Sequence, residues 1–565
     1  MDYKKELAKV LSEKTDIECS YFEQIIEIPQ RNMGDFALPC FALAKQYKKS
    51  PVQLATDLAA QLVAQSYSFL EKVNPAGPYL NFFLKRDSFA QNVLQEALEK
   101  KQNYGASTIG SDKNIVIDYS SPNIAKPFHV GHLRSTVMGQ ALYNIYSFLG
   151  YNCIGVNHLG DWGTQFGKLI VAYELWSSKE QVEKDAITEL NRIYVKFHTE
   201  AKQDPDLDNQ ARVYLLKMEE GDEHALATWR FFYDISLKEF ERIYNRLGVK
   251  FDYYKGESFY NDKMAAVVEE LKQKGLLKES EGAQIVDLDS EGLPPCMILR
   301  SDGATLYATR DLATVFYRKN TFNFHKTLYL TAADQGLHFN QFFRVVKCMG
   351  YDWWDSLHHV PFGLVSLEGG KLSTRKGNVV LMEDLLDSVV AKAKEIIEEK
   401  NPDLPNKDTV ANEIGIGSVI FNDLYNTRIK NVVFSLEKML NFDGETGPFV
   451  QYSHARANSL LEKGGQIDFN NIDYTKLTDE AAQNVIAHIY HYKDKLIEVT
   501  QKNEPYLLTR HLTSLAQAFN KFYQTNPIIS SDPATKNARL VLVYITKNIL
   551  HDGLALLGIA APERM

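Results

Sequence analysis

The segment Ser120-Ser121-Pro122-Asn123-Ile124-Ala125-Lys126-Pro127-Phe128-His129-Val130-Gly131-His132 sets two imidazoles around a glycine. At a helix entry this combination gathers backbone N–H donors, the positive end of the helix dipole and a bare Cα that lets a flat ligand come close. Such a corner suits the phosphates of a nucleoside triphosphate. The same residues also fit a plain helix entry in which His129 and His132 pair only with backbone groups. A second group follows about 240 residues later, Leu367-Glu368-Gly369-Gly370-Lys371-Leu372-Ser373-Thr374-Arg375-Lys376-Gly377. Its glycines permit movement, and Lys371, Arg375 and Lys376 can neutralise the charge that grows as pyrophosphate departs. Taken alone, the segment reads as a hairpin tip with solvated cations; only its pairing with the histidine loop favours the phosphate reading. Asp118 and Asp311 have the chemistry to take a guanidinium through forked hydrogen bonds, but in isolation each reads as a turn or N-cap aspartate.

These residues need a frame, and the hydrophobic pattern around them supplies one. Ile115, Val116 and Ile117 form a short apolar strand, a Ser/Pro/Asn loop runs from Asp118 to His129, a periodic helix spans about Gly131 to Leu149, and Cys153 to Val156 reads as a second strand. Strand, loop, helix and strand at this spacing make a βαβ unit, so the two strands should be parallel members of a doubly wound sheet with its ligand beyond the strands' carboxyl ends. Strand signals return at Thr327–Leu330 and Val360–Val365. Residues 177–250 are charged and helical, with Leu190, Ile193, Tyr194 and Phe197 as one apolar stripe, and look like an insertion between two halves of the sheet.

Before this region lies a small α+β module, in which Ser50-Pro51 opens a helix and Tyr79–Leu84 is an aromatic strand. After about residue 445 the sequence is helical to its end. Leu512, Leu515, Ala516, Phe519, Phe522 and Tyr523 share one face, and Val485, Ile489, Tyr492 and Leu496 another, as in an all-α bundle. The aromatic stripe there reads as bundle core. His358-His359 reads as a structural pair near a strand start, with no third metal ligand apparent.

The chain has 565 residues, 45% hydrophobic and 24% charged, which excludes disorder as its main character and leaves room for several domains. A net charge of −9 argues against a protein that coats nucleic acid through a global positive field, though local RNA contacts stay open. Residues 450–565 are close to neutral, so the acidity sits earlier. Cys19, Cys40, Cys153, Cys296 and Cys348 lie far apart with no C-x-x-C pair, so neither a disulfide framework nor a zinc site is expected. The first residues carry no signal-peptide or membrane-spanning run, which makes a reducing cytoplasm the expected location.

The His-x-Gly-His turn and the Lys-Leu-Ser-Thr-Arg segment together resemble the two signatures of class I aminoacyl-tRNA synthetases. The text around them is more specific. Ser121 to His132, Leu159-Gly160-Asp161-Trp162-Gly163-Thr164-Gln165-Phe166-Gly167, Tyr307-Ala308-Thr309-Arg310-Asp311, Ala333-Asp334-Gln335-Gly336-Leu337-His338 and Pro562-Glu563-Arg564-Met565 resemble the arginyl-tRNA synthetase family across essentially the whole chain. The resemblance implies an N-terminal added domain over 1–110 that touches tRNA and a Rossmann-like catalytic domain over 111–380 with its helical insertion. It also implies connecting helices over 381–444 and a C-terminal helical anticodon-binding domain over 445–565.

It implies ATP contacts from His129, Gly131, His132, Lys371, Ser373 and Arg375, and arginine contacts from Asp118, Asn123, Tyr307, Asp311 and Gln335. The usual class signature has a second lysine where Thr374 stands here. Arginyl enzymes that lack it carry one before the histidine turn, which here is Lys126. The implied reaction forms arginyl-adenylate from arginine and ATP, with Mg²⁺ accompanying ATP, and passes the arginyl group to tRNA(Arg). By the same resemblance the first step needs bound tRNA and the acceptor is the 2′ hydroxyl; a monomer is expected, with the oligomeric state left open by the sequence. A synthetase for another amino acid would keep both signatures but change Asp118, Asp311 or Gln335. A small-molecule nucleotidylyltransferase would not explain the helical C-terminal region, and an inactive RNA-binding relative should have lost His129, His132 or Lys371.

Overall fold

Ile115, Val116 and Ile117 are fully buried, as an apolar run with no alternation requires of a strand covered on both faces. They belong to strand β1 (Asn114–Asp118), which is followed by helix α1 (Leu133–Phe148) and strand β2 (Asn152–Asn157). The strands pair in parallel, as the βαβ spacing predicts. The computed structural model describes residues 1–29, 33–65, 67–367 and 380–565.

Three further strands complete this sheet: β3 (Tyr253–Tyr254), β4 (Lys326–Tyr329) and β5 (Leu357–His359). Its order is β5-β4-β1-β2-β3 with every pairing parallel. The winding reverses between β1 and β4, and a doubly wound sheet opens its ligand crevice at such a switch point, beyond the strands' carboxyl ends. Helix α2 (Glu223–Leu247) precedes β3, α3 (Tyr307–Phe322) precedes β4, and α4 (Gly336–Cys348) links β4 to β5. Phe339, Phe342 and Phe343 of α4 pack with Leu312 and Val315 of α3 in one buried cluster that reaches Val116 of β1.

Two sequence expectations are corrected here. The strand beside β4 is Leu357–His359, whereas Val365 opens a different strand, β6 (Val365–Leu367), which pairs in parallel with β7 (Val432–Phe434) away from the main sheet. His359 stacks on Phe339 with ring centroids 4.5 Å apart, so a residue type that reads as polar is used as a packed strand residue. The charged helices over 177–250 lie between β2 and β3, inside the first half of the sheet and not between its halves.

The chain forms two compact units. One contains Gly105–Ala455, Lys493–Thr513 and Leu550–Met565, and holds the parallel sheet. The other joins Met1–Tyr104 to Arg456–Tyr492 and Ser514–Ile549. In this second unit an antiparallel sheet orders Phe36–Pro39, Tyr79–Leu84 and Leu70–Ala76. Ser50 caps the helix Pro51–Val63 by accepting from the Gln53 N–H. The Tyr3 N–H donates to the Tyr490 hydroxyl at 3.0 Å, and Tyr3 and Phe89 both meet the Tyr490 ring edge-on. Phe519 and Phe522 are core residues, whereas Tyr523 is exposed with the Arg456 guanidinium over its ring. Among the described residues no helix is long and apolar enough to cross a membrane.

Candidate active site

The loop from Asp118 to His132 leaves β1 at the switch point and is held in a conformation that costs free energy. Ser120, Ser121 and Ala125 have φ of 70°, 49° and 59°, a left-handed backbone that side chains other than glycine adopt at about 1–3 kcal/mol each. Its neighbours over-determine it. The Ser120 N–H donates to Ser135 Oγ (2.9 Å), the Ser121 N–H to Asn157 Oδ1 (3.1 Å) and the Ala125 N–H to Ser236 Oγ (2.9 Å). The buried Tyr244 hydroxyl meets both Ser120 Oγ and Asn157 Nδ2, so helix α2 of the insertion props the loop from behind.

At the end of this loop the histidines cap one another's turn. The Gly131 N–H donates to His129 Nδ1 (3.0 Å), and the His129 N–H donates to His132 Nδ1 (3.2 Å). A Cβ on residue 131 would lie 2.7 Å from His129 Cε1, which explains the glycine. A neutral imidazole that accepts at Nδ1 carries its proton on Nε2. Burial pushes the His132 pKa down to about 3, with His129 and Lys126 adding to the effect, and burial lowers His129 too. At neutral pH the pair therefore offers two uncharged Nε2–H donors at the head of α1. Lys126 is half-buried, with its ammonium 5.8 Å from the centre of the Tyr194 ring, and burial lowers its pKa.

Lys371, Ser373 and Arg375 lie outside the described residues. The chain on either side of them meets the histidine turn. β6 packs against Val130–His132, the Val130 N–H donates to the Val380 carbonyl (3.2 Å), and the Met382 N–H donates to the Phe128 carbonyl (3.0 Å).

The residues singled out for arginine lie on the segments that follow β1 and β4 and at the start of α3. Asp118 ends β1; its Oδ2 is 2.7 Å from a guanidinium nitrogen of the fully buried Arg318, and its Oδ1 accepts from Ser121 Oγ at 2.9 Å. Asn123 forms a parallel bridge with Gly160, where a Cβ would lie 1.9 Å from Asn123 Oδ1. Tyr307 and Asp311 sit one turn apart at the start of α3, and Tyr307 is 70% exposed. Asp311 Oδ2 is 2.5 Å from His338 Nε2, and Gln335 lies one turn before His338 beyond the carboxyl end of β4.

Four further groups converge here that the sequence did not single out as site residues: His158, Asp161, Glu257 and Arg318. Asp161 accepts from the Ser258 N–H and hydroxyl (2.8 and 2.7 Å), which fixes the Glu257 segment. Glu257 lies 3.4 Å from Arg310, and burial raises its pKa to about 7, with Arg310 opposing and Asp161 and Asp311 reinforcing the shift. His158 Nδ1 is buried without a hydrogen-bond partner; burial lowers its pKa, and Asp118, Asp311 and Asp161 act against that shift. Asp161 stands beside the glycine that touches Asn123, which is the one local signal that would have pointed to it. Glu257 is about 100 residues further on and carries none.

Known proteins decide what this crevice belongs to. Residues 93–436 match the family described as tRNA synthetases class I (R), catalytic domain, residues 450–565 the DALR anticodon binding domain, and residues 1–84 the arginyl tRNA synthetase N terminal domain. The arginine–tRNA ligase of Alkaliphilus metalliredigens is 51% identical over 568 residues, covering all of both chains, and that of Halothermothrix orenii is 50% identical over 567, again covering all of both. The chain belongs to the arginine–tRNA ligase family. Its fold is that of the Thermus thermophilus arginyl-tRNA synthetase (TM-score 0.84, 24% identity, 100% of this chain and 99% of that one). The Plasmodium falciparum arginyl-tRNA synthetase is also similar in fold (TM-score 0.81, 24% identity, covering 96% and 94%). The parallel sheet, the N-terminal added module and the helical C-terminal region are thus those of the arginine–tRNA ligase family.

Proposed function

We propose that this protein activates L-arginine with ATP and transfers it to tRNA(Arg). In the first step an arginine carboxylate oxygen attacks the α-phosphorus and pyrophosphate leaves. In the second a terminal ribose hydroxyl attacks the carbonyl carbon of arginyl-adenylate and AMP leaves. Neither step needs a protein nucleophile, so rate comes from alignment and from donors aimed at charge on the phosphates. His129 and His132 give Nε2–H donors to the triphosphate, Gly131 lets it approach, and Lys126, with Lys371, Ser373 and Arg375, completes the anion site. Mg²⁺ comes with ATP through phosphate oxygens and offsets their charge.

Asp311 takes the guanidinium, with Tyr307 beside it. Asp118, already paired with Arg318, uses its remaining lone pairs, with Asn123 and Gln335, to orient the amino-acid end. The N-terminal module touches the outer corner of tRNA and the helical C-terminal region its anticodon; the protein works as a cytoplasmic monomer. What carries this reading is the loop after β1, which begins at Asp118 and ends at the uncharged His129–His132 turn, with Asp311 held to His338 beyond the end of β4.

ATP–pyrophosphate exchange tests it, run with arginine, lysine, glutamine and cysteine, with and without tRNA. Exchange should depend on arginine and on tRNA. Exchange driven by lysine and not by arginine would overturn the substrate assignment.

A further inference from the structure

Arg134 lies two residues beyond His132, on the first turn of α1, and is completely buried, as is Asp423 on the helix α5 (Lys407–Leu424). Its guanidinium reaches three segments from different parts of the chain. Nε is 3.2 Å from Asp423 Oδ1, and Nη1 donates to the Gly363 carbonyl (3.3 Å) and to the Lys430 carbonyl. Gly363 stands just before β6 and Lys430 just before β7, the two strands that pair beside the histidine turn.

We infer that Arg134, anchored by Asp423, is a positioning residue that holds the histidine turn in place for adenylate formation; this rests on the function proposed above. As a source of stability the pair is poor. The 3.2 Å approach lacks hydrogen-bond geometry, and both Asp423 oxygens and Arg134 Nη2 are buried without a hydrogen-bond partner. Buried ion pairs of this quality hold a fold together no better than apolar residues of similar volume. What apolar residues cannot do is fix direction. A planar guanidinium that binds one carboxylate and two carbonyls on separate segments sets the angle and depth of the turn carrying His132, and lysine lacks that fork. Backbone bonds from Val130 to Val380 and from Met382 to Phe128 also tie this turn to the chain after the β6 strand.

The test compares the parent with Arg134→Lys, which keeps the charge opposite Asp423 but loses the fork, and with the double replacement Arg134→Met/Asp423→Leu, which removes both charges. Each is measured by thermal unfolding and by arginine-dependent ATP–pyrophosphate exchange with tRNA present. Both variants should fold, with exchange kcat about tenfold or more below the parent and the KM for arginine within about twofold. A folded variant that exchanges at the parental rate overturns the inference, and so does failure of both to fold, which would make the pair a stability element. A parent without arginine-dependent exchange would overturn the functional reading and this inference with it.

Discussion

At the scale of single residues, burial sets the protonation states of the proposed site, lowering the pKa of His129 and His132 and raising that of Glu257. Burial lowers the His132 pKa to about 3 and its Nδ1 accepts from the His129 N–H, so the donor proposed for the phosphates is its Nε2–H, and losing one such preorganised donor costs about 10²–10³ in rate. His132→Ala should therefore lower exchange kcat by roughly that factor while its unfolding midpoint stays close to the parent's. Burial brings Glu257 to a pKa of about 7, so it is largely protonated below that pH and ionised above it, and a bound guanidinium favours the ionised form. The KM for arginine should therefore fall as pH rises from about 6 to about 8, and Glu257→Gln should flatten that dependence. An unchanged slope in Glu257→Gln would assign the titration to another group.

At the scale of elements, the sequence showed the frame better than the pocket. β1 and β2 were legible because a continuous apolar run with a helix between is a strong local signal. The strand next to β4 was not, because its histidine pair hides it and Val360–Val365 is the more apolar stretch. The residues of the proposed site come from the loops after β1, β2 and β4, from the start of α3 and from the segment that follows the insertion. Glu257 and His158 reach it only through tertiary contacts. Asn123 and Gly160 show how closely those loops fit. A methyl group on residue 160 would overlap the Asn123 carboxamide, so Gly160→Ala should push Asn123 out of line. We expect its arginine KM to rise roughly tenfold, as for a displaced polar contact, while Gly163→Ala, where a Cβ meets nothing within 4 Å, serves as the comparison for backbone strain alone, since φ there is 114°.

At the scale of the whole molecule, residues far apart in sequence share one core. Met1–Tyr104 forms a single compact unit with Arg456–Tyr492 and Ser514–Ile549, and Tyr3, Phe36 and Phe89 pack against Tyr490. A chain lacking residues 1–104 should therefore lose solubility or expose apolar surface, measured as a rise in binding of a hydrophobic dye, and not merely lose affinity for tRNA. This joining of the N-terminal segment to Arg456–Tyr492 and Ser514–Ile549 was hidden from sequence, since periodicity reports which face of a helix is apolar and not what covers it.

The central claim is that one crevice at the carboxyl ends of β1 and β4 receives both the adenylate and the cationic amino acid. A crystal structure with a non-hydrolysable arginyl-adenylate analogue and tRNA tests it most directly. It should show the phosphate mimic within about 3 Å of Nε2 of His129 or His132, with the guanidinium on Asp311. An analogue bound away from these strand ends, or with its guanidinium turned from Asp311 into solvent, would contradict the account.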